Sequence, residues 1–152
     1  MRKKLKKQVY LGGPCYPTTW RQEIMVPFLK KMKITYFDPQ VEYSSREQRQ
    51  LELEAKENSE VLLFVIDPKV RAMASLMEAV EYGLRGRDVI VVVNDIMDGT
   101  LIDGKVITGQ ELEDLNRARA YLRDMVDRCH TMIRCDTLDR VMILLTLRFK
   151  VK

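Results

Sequence analysis

A doubly wound α/β fold, with five parallel strands between two layers of helices, is predicted by three features of the sequence. The runs Val61–Ile66 (VLLFVI) and Val89–Val93 (VIVVV) are apolar without alternation. That means burial on both faces, the property of central strands in a parallel sheet. Helical patterns separate the strand candidates one by one, as the right-handed crossovers between parallel strands require. The opening segment QVYLGG ends in a glycine pair and leads straight into a helix start, giving strand, turn and helix in order.

The elements follow along the chain. After QVYLGG, Thr19 and Gln22 have capping-box spacing for a helix through Ile24, Phe28 and Leu29, in which Pro27 implies a kink or a late start. ITYF is a second short strand, stopped by Asp38-Pro39. Ser45 and Gln48 repeat the capping-box spacing before a polar helix ending near Asn58, and VLLFVI follows. A helix over Ala74–Leu84 ends at Gly83 or Gly86 and gives way to DVIVVVND. The segment MDGTLIDGKVITGQ carries the signals of a small hairpin, with LID and KVI flanking Gly104. Thr108 and Glu111 are placed to cap a long amphipathic helix to about Asp127; TMIRC is a last short strand and LDRVMILLTLRF a terminal helix.

Composition bounds the rest. A chain of 152 residues suits one full domain, expected over residues 8–152 behind a basic tail, MRKKLKK. With 46% hydrophobic and 32% charged residues it reads as a soluble globular protein, and no apolar run approaches the ~18 residues of a membrane span. The net charge of +4 resides largely in the tail, and no basic stripe interleaved with aromatics tracks a nucleic-acid backbone. Neither membrane nor direct nucleic-acid binding is expected. Cys15, Cys129 and Cys135 are odd in number, lack CxxC spacing and have only His130 nearby, which supports neither a disulfide framework nor zinc. A reducing, cytoplasmic compartment fits, without a secretory leader.

In an open α/β sheet the ligand crevice lies beyond the strand carboxyl ends, where the strand order reverses. The candidates there are Gly12, Gly13, Asp38, Asp67, Asn94 and Asp95, with the helix starts that follow. Glu78, in SLMEAVEYG, falls in the first turn of the helix after VLLFVI; such a carboxylate serves chemistry or simply the helix dipole.

The segments VYLGGP and TTWR, the acidic EAKENSE leading into VLLFVI, the glutamate at the next helix start and the later ELEDLNRARAYL together resemble the nucleoside 2-deoxyribosyltransferase-like family over most of the chain. The resemblance extends to the divergent branch that includes a domain of the animal signalling regulators called Raw. It implies that Tyr10, Gly12, Gly13 and Pro14 form the turn against which base and sugar pack. It also implies that Glu78 is the nucleophile, that Glu52 is the acid that protonates the leaving base, and that the protein is a homo-oligomer. A carboxylate on the far face of the sugar can capture an oxocarbenium-like state before water or a second base attacks. No metal or other cofactor is called for. The ligand implied is a (deoxy)nucleoside, a nucleotide or a dinucleotide such as NAD.

The departures are specific. Ala74-Ser75 replaces Gly-Thr before Glu78, with Ser75 able to donate as threonine would, and the Asp at the mouth of the third strand is Glu60. Glu52 stands where Asp is usual, one methylene longer. Trp20 and Arg21, at the first helix start, suit either stacking on a base and holding a phosphate or plain packing. Glu52 and Lys56 are either an i,i+4 ion pair or site groups. Asp114, Asn116, Arg117 and Arg119 read as a solvated face or an interface, and Met73 and Met77 as core or interface. Two alternatives to catalysis stay open: a ligand-sensing or protein-interaction descendant of the fold, and a mononucleotide binder that cleaves nothing.

Overall fold

The computed structural model describes residues 6–41 and 44–150. The start of the expected basic tail, residues 1–5, lies outside them, and Lys7 is already the first residue of β1 (Lys7–Gly12). Thereafter come α1 (Val26–Lys31), β2 (Tyr36–Phe37), α2 (Arg46–Asn58), β3 (Ser59–Ile66), α3 (Met73–Leu84) and β4 (Val89–Val93). The hairpin β5 (Thr100–Ile102) and β6 (Lys105–Ile107), α4 (Gly109–Arg128), β7 (Met132–Cys135) and α5 (Leu138–Arg148) complete the chain.

Five strands form one parallel sheet in the order β2-β1-β3-β4-β7, and β5 and β6 pair separately. The order reverses between β1 and β3, where Tyr10 sits opposite Leu62 and Gly12 opposite Phe64. Period-two alternation sends successive side chains of β3 to opposite faces. Leu62, Phe64 and Ile66 meet Ala55 of α2, Leu76, Ala79 and Tyr82 of α3, and Leu122 and Met125 of α4. Val61, Leu63 and Val65 meet Trp20, Met25 and Leu29 on one side of the second layer and Val141 and Leu145 of α5 on the other. Burial on both faces thus explains why β3 and β4 read as unbroken apolar runs. A smaller core of Ile96, Ile102, Ile107 and Leu115 seats the hairpin on α4.

Of the three caps read in the sequence, one forms and two do not. At α2, Ser45 Oγ accepts from the Gln48 N–H at 3.0 Å, as its spacing predicts. Before α1, the chain makes a π-turn over Arg21–Met25, in which the Val26 N–H donates to the Arg21 carbonyl. Pro27, having no N–H, sits at the start of α1 where none is needed. Thr19 donates its hydroxyl to Glu23 instead of capping (2.9 Å). Thr108 makes no cap bond, and Glu111 pairs with Arg71 and Lys105. The start of α3 also differs from its expected place: it begins at Met73, behind Ala72 in the left-handed region (φ 59°), with no acidic residue in its first turn. Glu78 therefore belongs to the second turn, and the helix dipole does not account for it.

Candidate active site

A crevice between α2 and α3, over the switch point of the sheet, gathers four candidate side chains. Tyr10 rises from β1, its ring stacked on Phe37 of β2 at 5.7 Å. Glu52 and Lys56 stand one turn apart on α2, four residues apart and so on one face. Glu78 faces them from α3, and Lys56 Nζ lies 2.7 Å from Glu78 Oε2. Lys56 also lies 5.7 Å from the centre of the Tyr10 ring and 5.9 Å from that of Tyr82. Its side chain is 12% exposed and that of Glu78 is 34%, so the pair is partly desolvated with the carboxylate toward the opening. Lys56 thus bridges two helices instead of closing an i,i+4 pair with Glu52. Glu52 Oε1 instead accepts from Gln48 Nε2 at 3.3 Å.

Electrostatics links Tyr10 to both carboxylates. Burial above all, then the nearby Glu52 and Glu78 carboxylates, pushes the Tyr10 phenol far above its ordinary pKa of 10.0. It is a neutral O–H at any ordinary pH, beside two acidic groups.

The glycine pair serves the sheet. A Cβ at Gly12 would lie 2.6 Å from the Phe64 ring and 2.9 Å from the Leu63 carbonyl, and one at Gly13 (φ 121°) would run into the Val65 carbonyl. Both crowded directions point at β3, so close packing against the neighbouring strand is sufficient reason for glycine. The Pro14 carbonyl accepts from Thr18 Oγ1 and from Arg21.

Arg21 is fully buried and spends its donors on the same turn: Leu11 O at 2.9 Å, Gly13 O at 2.7 Å, Pro14 O at 3.1 Å and Gln40 Oε1 at 2.9 Å. Burial lowers its pKa, while Cys15 and Asp38 oppose that. The sequence reading of Arg21 as a phosphate ligand meets a guanidinium whose fork already shapes the glycine turn. Trp20 is 6% exposed in the core beneath α1, which is the packing alternative for that residue.

The remaining strand-end candidates form turns. Asp38 Oδ1 accepts the Gln40 N–H at 2.9 Å, and Asp67 Oδ1 the Lys69 N–H at 2.7 Å. Exposed Asn94 reaches the Asp136 carbonyl at 3.5 Å. Arg119, fully buried on α4, binds the carbonyls of Asn94, Asp67, Val70 and Arg71 and so fastens the ends of β3 and β4 together. Burial lowers its pKa to about 10. Asn116 brackets Ile96, bonding both its N–H and its carbonyl. These two are inward staples, whereas Asp114 and Arg117 are exposed. Met73 and Met77, half or more exposed, belong to no core. Ser75 is buried on α3, three residues before Glu78 and on the same face.

Gln48 and Tyr82 are neighbours of this cluster to which the sequence gives no site role, and for Lys56 it gives either an ion pair with Glu52 or a place in the site. Helical phase shows that Lys56 shares a face with Glu52; only the approach of α3 pairs it with Glu78.

This crevice lies within the stretch that matches a family model. The model described as nucleoside 2-deoxyribosyltransferase like matches residues 6–96, more than half of the chain. The chain belongs to the nucleoside 2-deoxyribosyltransferase-like family. The matched span runs from β1 past the end of β4 and contains Tyr10, Glu52, Lys56 and Glu78. Among solved structures, a conserved protein from Enterococcus faecalis V583 is similar at a TM-score of 0.60 and 14% identity, covering 95% of this chain and 99% of that one. At that identity the likeness concerns the fold, and it extends through the hairpin, α4, β7 and α5 beyond the family match. No curated protein matches the chain. Among the described residues, no helix is long and apolar enough to cross a membrane, and no group of three or more His, Cys, Asp or Glu side chains is arranged to hold a metal ion.

Proposed function

We propose that this family member cleaves or transfers the N-glycosidic bond of a nucleoside-type ligand, with Glu78 as nucleophile and Glu52 as the acid on the leaving base. The observation that carries the proposal is that Glu52 of α2 and Glu78 of α3 both stand near enough to the buried Tyr10 phenol to act on its charge, at the switch point of the sheet, with Lys56 joining α2 to Glu78. In this reading Glu78 attacks C1′ as the C1′–N bond breaks, and its electron pair passes to the base, which takes the proton carried by Glu52. Water or a second base then attacks C1′ and frees Glu78, its proton going to Glu52. Tyr10, buried and stacked on Phe37, supplies a neutral phenol in the floor of the site near both acids.

Incubation with a panel of deoxynucleosides, ribonucleotides and NAD, followed by chromatography of the free base, tests the reading. Wild type releases base from at least one class, and Glu78→Gln lowers that rate at least about a thousandfold while ligand binding persists. A second reading, a descendant that binds ligand without cleaving it, draws on the Lys56–Glu78 ion pair and on Ala74-Ser75 before the nucleophile. Folded wild type that is silent across the panel supports that alternative.

A further inference from the structure

We infer that Lys56 drives the second half of the reaction, the release of the sugar from Glu78; this rests on the reading of Glu78 as nucleophile. The two oxygens of this carboxylate are not equivalent. Oε2 is held by Lys56 Nζ at 2.7 Å, whereas Oε1 has no hydrogen-bond partner among the described residues. The free oxygen is the one placed to attack C1′. Lys56 is 12% exposed and has no other carboxylate within 4 Å among the described residues; Glu57, next to it on α2, pairs with Arg85.

The charge of Glu78 changes twice in the cycle, and the charge of Lys56 does not. When Oε1 bonds to C1′, the carboxylate becomes a neutral ester and the ammonium, beside the Tyr10 and Tyr82 rings, loses its partner at 2.7 Å, while the charge that Glu52 acquires on giving its proton to the base stands a turn away and out of contact with Lys56. When water or an acceptor base attacks C1′, the C1′–Oε1 bond breaks and its electron pair returns to the carboxylate, restoring the ion pair. The cation thus stabilises the leaving carboxylate in the second step and restrains the attacking carboxylate in the first. Interactions that strengthen as the transition state forms speed a step, and those that weaken slow it. Lys56 therefore keeps the covalent intermediate short-lived.

The test uses Lys56→Met, Lys56→Gln and Lys56→Arg, each checked for folding by circular dichroism, with the panel nucleoside that the wild type turns over fastest. In rapid-mixing assays, wild type shows linear release of base. The neutral variants show a burst approaching one base per protein, then a steady rate lower by about 10- to 100-fold, the worth of one charge-assisted hydrogen bond. Intact mass shows the adduct of the substrate's sugar on the neutral variants, peptide mapping places it on Glu78, and Lys56→Arg restores linear release. Neutral variants with wild-type rates and no adduct overturn the inference while leaving Glu78 as nucleophile. Faster turnover without adduct also overturns it, by placing the effect of the cation in the first step. Absence of base release from wild type and every variant overturns the glycosidic reading itself.

Discussion

Two arginines show how a charged residue on a candidate list can be structural. Arg21 and Arg119 are both fully buried, and their donors go chiefly to backbone carbonyls at strand ends. Buried carbonyls left without donors are costly, so the guanidinium fork, with donors in several directions, suits a turn in which the carbonyls converge. Arg21→Met keeps the length and removes the donors. It is expected to lower stability by about 3 kcal/mol in urea unfolding, well beyond the effect of an exposed arginine. Tyr10 makes the complementary case at high pH. Its folded pKa lies above the unfolded value of 10.0, chiefly through burial. Its contribution is therefore complete below about pH 10 and lost as the pH rises from there toward the folded value, because the unfolded chain gives up the proton first. Urea titrations at about pH 8 and pH 10.5 should show wild type losing more stability between the two than Tyr10→Phe does.

At the level of elements, α3 decides where the candidate nucleophile stands. The helix starts early, at Met73, and Gly83 packs it so closely that an added Cβ would collide with the Met132 side chain of β7. That seat sets the height at which Glu78 meets Lys56. The turn after β1 is equally constrained. Gly13→Ala must place a Cβ against the Val65 carbonyl at φ 121°. It is expected to cost more than about 2 kcal/mol, read as a lowered thermal midpoint. A glycine required only by a ligand would cost affinity and leave stability nearly unchanged, so this single measurement separates the two reasons for the glycine pair.

For the molecule as a whole, the crevice is a consequence of sheet order. Because β1 and β3 are neighbours, the helix that follows β2 and the helix that follows β3 lie side by side on one face. Glu78 is thereby brought onto Lys56, 22 positions earlier in sequence, on the helix that also carries Glu52. Glu78→Gln preserves shape and hydrogen-bonding reach, so its expected loss of turnover with retained binding reports on chemistry at this junction and not on the scaffold. The family match ends soon after β4. The hairpin, which Arg71 ties to α4 through Asp103 and Glu111, and everything after it complete the sheet and its second layer.

The sequence by itself determined the parallel α/β class, the strands and helices in their order, the hairpin and the cap at Ser45. All of these follow from local periodicity and turn chemistry, which act over a few residues. It also named Glu78, Glu52 and Tyr10 as candidates, through the resemblance to the family. Tertiary structure alone decided that Lys56 pairs with Glu78, that Arg21 and Arg119 bind carbonyls, and that Gly12 and Gly13 make room for β3. The reason is physical: a side chain chooses its hydrogen-bond partner by distance in space, and that distance is fixed only when the helices dock on the sheet.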